Sequence, residues 1–132
     1  MAYRVYLVDD DRFLLDLYAV KFRNAGHEVS VFDGGESLLA ALRKEGAAPD
    51  AILLDLIMPG VNGFETLETI RKEKLVPGTR IIILSNQGQD SDIEKAKQFA
   101  ADGYIIKASA IPSEVFAETI RIIEGGPPPA GK

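Results

Sequence analysis

Cysteine is absent from the 132 residues, so no disulfide framework and no thiolate zinc site can form, and nothing calls for an oxidising compartment. Histidine occurs once. His27 stands between Gly26 and Glu28 with no acid at catalytic spacing, which makes it an exposed turn residue rather than a catalytic base. Long apolar runs are also missing. The uninterrupted stretches are strand-sized, and Met1-Ala2-Tyr3-Arg4 lacks the charged head and apolar run of a signal peptide, so neither secretion nor membrane spanning is expected and the cytoplasm fits best. A surplus of basic charge is the last absence. Fifteen Lys and Arg stand against twenty Asp and Glu, a net charge of −5, and an acidic surface without a basic patch repels nucleic-acid phosphates.

What is present is an ordinary balance of 46% apolar and 27% charged residues, enough for one self-sufficient core. Short β-branched runs alternate with helical patterns along the whole chain. Strands are predicted at Arg4 to Val8, Glu28 to Phe32, Ala51 to Leu54, Arg80 to Leu84 and Tyr104 to Ile106. Helices are predicted at Phe13 to Ala25, Ser37 to Lys44, Phe64 to Lys72, Asp92 to Ala101 and Pro112 to Glu124. In the first helix the apolar positions Phe13, Leu14, Leu17, Val20 and Ala25 form a stripe that Gly26 ends. Strand and helix in strict alternation imply right-handed crossovers and a doubly wound, five-stranded parallel α/β sheet covered on both faces. The continuously apolar Ala51-Ile52-Leu53-Leu54 and Ile81-Ile82-Ile83-Leu84 fit strands buried on both sides. One domain is expected over residues 1–125. Residues 126–132, Gly-Pro-Pro-Pro-Ala-Gly-Lys, cannot continue a helix and form a tail or the start of a linker.

Open parallel sheets bind ligands beyond the carboxyl ends of their strands, where the strand order reverses. After the first strand come Asp9, Asp10 and Asp11; after the third, Asp55; after the fourth, Ser85; after the fifth, Lys107. Taken singly, the aspartate run would cap the first helix, Ser85 would be a turn residue and Lys107 a solvated cation. Asp55 resists so simple a reading, because a carboxylate directly after Leu53-Leu54 lies against the core and needs compensation. Carboxylates gathered at one rim repel, and a hard divalent cation such as Mg2+, which takes one or two carboxylates plus a phosphate oxygen, removes that cost. With Lys107 as a cation and Ser85 as a hydroxyl donor, the set describes a phosphoryl-transfer site whose nucleophile is a carboxylate.

These residues closely resemble the response-regulator receiver family of two-component signalling over about residues 3 to 124. The resemblance rests on Val8-Asp9-Asp10-Asp11, on Leu54-Asp55-Leu56-Ile57-Met58-Pro59-Gly60 with Asn62-Gly63, on Leu84-Ser85, and on Gly103-Tyr104-Ile105-Ile106-Lys107. It implies a flavodoxin-like, CheY-like (βα)5 fold with strand order 2-1-3-4-5 and a phosphoacceptor at Asp55. Asp10 would bind magnesium directly, Asp9 would assist, the backbone carbonyl of Ile57 would be a further ligand, and Asp11 would cap the helix. Ser85 and Tyr104 would form the switch that alters the face made by the fourth helix, fifth strand and fifth helix. The implied partners are a sensor histidine kinase or phosphotransfer protein upstream, and a protein target or a further output domain downstream, with the domain itself a monomer or weak homodimer. Catalysis would be confined to Mg-dependent self-phosphorylation and self-dephosphorylation.

Two places depart from the usual family pattern. Ala108 stands where proline commonly follows the lysine, so a cis bond there would carry the non-proline cost of about 3 kcal/mol. Apolar Ile57, with Gln87, occupies a position that tunes access of water, and Ile57 should lengthen the life of the phosphorylated form. Competing readings are weaker. A flavin protein of this fold needs a Ser, Thr or Gly phosphate loop where three aspartates stand. A phosphatase for free substrates would want a second acid after Asp55, where Leu56 and Ile57 occur. A receiver that only binds partners would not need every active-site residue type.

Overall fold

The computed structural model describes residues 2–44, 48–56, 63–76, 78–85, 90–106 and 111–125. Among these, ten elements alternate: β1 (Arg4–Val8), α1 (Arg12–Asn24), β2 (Glu28–Phe32), α2 (Gly35–Arg43), β3 (Ala51–Asp55), α3 (Gly63–Lys72), β4 (Arg80–Ser85), α4 (Asp90–Gln98), β5 (Gly103–Ile106) and α5 (Pro112–Ile123). The strands pair in parallel in the order β2-β1-β3-β4-β5, as expected.

Alternation along the strands divides the core in two. Ile52 and Leu54 of β3, with Ile81 and Ile83 of β4, pack against Leu38 of α2, Leu67 and Ile70 of α3 and Ala96 of α4. On the other face Leu53 and Ile82 join Leu15 and Phe22 of α1 and Val115 and Ile122 of α5. Each fully buried Leu or Ile contributes about 1.5 to 3 kcal/mol, so the central strands, wet on neither face, anchor the sheet.

Helix α1 corrects one reading. The face it buries is Leu15, Tyr18, Ala19 and Phe22, whereas Phe13 is 73% exposed, Leu17 41% and Val20 53%. The helix carries two apolar stripes on opposite sides, and the one with Phe22 and Tyr18 goes inward. Gly26 ends it as expected, at φ 90, with its N–H donating to Arg23 O at 2.9 Å. His27 is likewise not a bare turn residue. It is half-buried, stacks on Tyr3 at 5.3 Å between ring centroids, lies 5.9 Å from the Phe116 ring, and its Nδ1 accepts the Tyr3 backbone N–H at 3.0 Å.

Boundaries moved by one to three residues, the largest shift being the end of α4 at Gln98 rather than Ala101, and in two cases usefully. Asp55 and Ser85 are the last residues of β3 and β4 rather than the first of the loops that follow, which fixes their backbones in the sheet. At the opposite edge, side chains lace the strands together. Asp50 accepts the Arg4 N–H at 2.8 Å, Asp102 accepts the Ile81 N–H at 2.8 Å, and the Thr79 hydroxyl donates to Pro49 O at 2.6 Å. Arg71 donates to the carbonyls of Phe99 and Ala100, holding α3 to the turn after α4. Farther out, Arg43 of α2 grips Glu73 with two bonds, and this keeps the Glu73 carboxyl below its ordinary range.

Candidate functional site

β1 and β3 are neighbours, and Val8 lies opposite Leu54, so Asp9, just past the end of β1, and Asp55, the last residue of β3, meet at the rim. Both are buried, Asp55 to 5% exposure, while Asp10 is exposed. One carboxylate oxygen from each of Asp9, Asp10 and Asp55 lies within 4.8 Å of the others. The local fold explains the spread of roles among the acids. The Asp11 side chain accepts the Leu14 N–H at 3.2 Å and caps α1, while the Asp11 N–H donates to Asp9 Oδ1 at 2.9 Å. Asp9 is thereby oriented by backbone, and Asp10 is left at the mouth.

Three oxygens at this separation suit a hard, oxygen-seeking divalent ion, and an assembly of acids alone is otherwise costly. When bound, such an ion would draw a phosphate oxygen toward Asp55 and neutralise its charge. Ser85 is fully buried and follows Leu84, the register partner of Asp55, so its hydroxyl stands on the adjacent strand one step nearer the rim. Tyr104 of β5 is half-buried against the core and pairs with Ile83. Lys107, Ile57, Gln87 and Ala108 lie outside the described residues.

Gly63 is the part of the site whose physical role the sequence did not reveal. A Cβ there would fall 2.3 Å from the Asp55 carbonyl oxygen and 2.6 Å from Leu56 Cα, so α3 begins directly against the end of β3. Its N–H donates to Leu56 O at 2.9 Å and closes the connection that leaves β3. Next to it, Phe64 lies under Lys95 Nζ, 4.7 Å from the ring centroid, which links the first turn of α3 to α4.

Residues 5–117 match the family model of the response regulator receiver domain. The chain belongs to that family. Among curated proteins it is 33% identical over 107 residues to the DNA-binding response regulator MtrA of Mycobacterium tuberculosis, covering 81% of this chain and 45% of that protein. The regulatory protein VanRc of Enterococcus gallinarum is also 33% identical over 107 residues, with 44% of its length covered. The chain thus spans less than half the length of these relatives. Among solved structures, the BeF3-activated receiver domain of DrrB superposes with a TM-score of 0.79 at 27% identity, covering 94% of this chain and 99% of that one. TrrA of Thermotoga maritima, in complex with Mg(2+)-BeF, superposes at 0.76 with 26% identity, covering 93% and 99%. This receiver is therefore a domain of the CheY-like kind, a signalling switch of two-component systems. Among its described residues no helix is long and apolar enough to cross a membrane.

Proposed function

We propose that this receiver accepts a phosphoryl group on Asp55 from a histidine kinase or phosphotransfer protein, with Mg2+ held by Asp9, Asp10 and Asp55. The observation that carries the reading is a buried carboxylate fixed at the end of β3 within 4.8 Å of two further acids. One Asp55 oxygen attacks phosphorus, the bond from phosphorus to the donor nitrogen breaks, and the imidazole leaves with the electron pair and takes up a proton. A bound ion would take ligands from Asp9, Asp10, Asp55 and the Ile57 carbonyl, and with Lys107 it would offset charge on the transferring oxygens. In the phosphorylated form the Ser85 hydroxyl donates to a phosphoryl oxygen, and Tyr104 turns inward beside it. A differential interaction of about 2 to 3 kcal/mol shifts the populations by roughly 30-fold to 150-fold, enough to change what the face of α4, β5 and α5 presents to a target or output domain.

The test is intact mass after incubation with acetyl phosphate and magnesium. The wild type gains one phosphoryl group and Asp55→Ala gains none. An unmodified wild type, or an equal adduct on the variant, overturns the assignment.

The outward stripe of α1 supplies a docking place for the donor. Phe13, Leu17 and Val20 repeat at helical spacing beside Asp11, so a partner helix lying along them brings its phosphohistidine toward Asp55. Three side chains are too small an area for a stable dimer and suit a passing encounter. Leu17→Asp is expected to slow transfer from the kinase at least tenfold, a loss of about 1.4 kcal/mol. The same variant should react with acetyl phosphate at the wild-type rate. Parallel losses in the two assays would place Leu17 in the fold instead.

A further inference from the structure

α3 and α4 cover the same face of the sheet, yet they are seated very differently. α3 buries Thr66, Leu67 and Ile70, and its first residue has no room to spare, since a Cβ on Gly63 would fall 2.3 Å from the Asp55 carbonyl oxygen. The end of β3 and the first turn of α3 must therefore move together. α4 is held far more lightly. Among its described side chains only Ala96 is buried, while Ile93 is half-buried and Glu94, Lys95, Lys97 and Gln98 are exposed. Its flank toward α5 borders a groove of about 530 Å³, which Tyr104, Ile106 and Ile122 line from the far side.

Two cations join α4 to α3 instead. In the middle of α4, Lys95 Nζ lies 4.7 Å from the centroid of the Phe64 ring, and that ring packs on the core. Just beyond the helix, Arg71 donates to the carbonyls of Phe99 at 3.0 Å and Ala100 at 2.7 Å. We propose that Phe64 is the residue through which the end of β3 positions α4, with the Lys95 ammonium riding on its ring. A solvated lysine crossing a ring by chance is the plainer reading. The placement of the pair favours the coupling: Phe64 follows Gly63 and Lys95 precedes Ala96, so the contact joins the residue without room on α3 to the residue that seats α4. The deeply anchored helix leads and the lightly seated one follows.

The consequence for signalling rests on the phosphorylation reading. A phosphoryl group on Asp55 that shifts the end of β3 carries Gly63 and Phe64 with it, and Lys95 passes the shift to α4 whether or not Ser85 and Tyr104 rearrange.

Amide hydrogen exchange in the 132-residue chain tests the contact itself. Phe64→Leu removes the ring and Lys95→Met removes the charge, and each should speed exchange of the α4 amides about twofold to fivefold, with α1 and α2 unchanged. Phe64→Tyr and Lys95→Arg keep the ring and the cation and should exchange like the wild type. The double variant, Phe64→Leu with Lys95→Met, should exceed neither single one. Wild-type rates in the single variants, or losses that multiply in the double variant, overturn the coupling. A second arm follows α4 amide shifts by NMR after acetyl phosphate and magnesium, with intact mass measured on the same samples. Wild type and Phe64→Leu should take equal label, and the α4 shifts should fall by half or more in the variant; undiminished shifts in labelled Phe64→Leu overturn the coupling too. A wild type that takes no label sinks the phosphorylation reading instead, and the exchange rates then decide the coupling alone.

Discussion

Replacing Gly63 by alanine should cost this receiver about 3 kcal/mol, lower its melting temperature by roughly 10 °C, and slow the phosphorylation proposed for Asp55 in the molecules that remain folded. The new methyl would lie 2.3 Å from the Asp55 carbonyl oxygen and 2.6 Å from Leu56 Cα. Both are backbone atoms of a strand end held by its neighbours, so no side-chain rotation relieves the overlap. Either α3 lifts away, exposing Leu67 and Ile70, or the end of β3 shifts and takes the Asp55 carboxylate with it. Such a loss is a large part of the 5 to 15 kcal/mol that holds an ordinary domain together. Gly34→Ala is the comparison, because a Cβ there meets nothing within 4 Å and its φ of −173 is extended backbone that any residue adopts. Its cost should stay below about 1 kcal/mol. Urea midpoints measured side by side decide the matter, and equal midpoints would mean that the contact of α3 with β3 yields without cost.

Magnesium should raise the melting temperature of the wild type by about 4 °C at ten times its dissociation constant, since a ligand at that level contributes about 1.4 kcal/mol to the folded state. The reason is the repulsion that folding creates. Two charges no more than 4.8 Å apart repel by about 3 kcal/mol or more at the effective dielectric of a protein interior, and Asp9 and Asp55 are both buried. Asp9→Asn with Asp10→Asn removes charge while keeping shape, and the amide oxygen at position 9 can still accept the Asp11 N–H. Without magnesium this double variant should melt higher than the wild type, and added magnesium should barely move it. Sodium chloride at matched ionic strength separates specific binding from screening. A wild type indifferent to magnesium, or a variant that responds equally, would remove the acidic triad from the metal site.

The sheet was legible in the sequence because its strongest signals are local. Ile81-Ile82-Ile83-Leu84 has no polar alternation, and only a strand covered on both faces tolerates that. The acids were legible for a related reason: Asp55 closes a buried strand, so its cost could be argued before its neighbours were placed. What escaped was whatever depends on two elements at once. Period alone cannot say which stripe of α1 faces inward, because Leu15-Tyr18-Ala19-Phe22 and Phe13-Leu17-Val20 share one helical spacing, and the sheet and α5 make the choice. His27 needed Tyr3 and Phe116, residues far from it in the chain, before it became a packed ring. Gly63 was noticed as part of a motif, but its role required the distance to Asp55. Lys107 and Ile57, named from the resemblance, lie outside the described residues and remain assignments made on sequence.

The lacing of the strands' amino ends by Asp50, Thr79 and Asp102 has a further meaning. These bonds sit at the edge opposite Asp9 and Asp55, so the scaffold is fastened at its base and its working rim is left to other residues. Partner choice and switching chemistry can then drift through substitutions at the rim while the knots beneath stay tied. Descendants of such a chain can acquire new signalling companions without having to learn again how to fold.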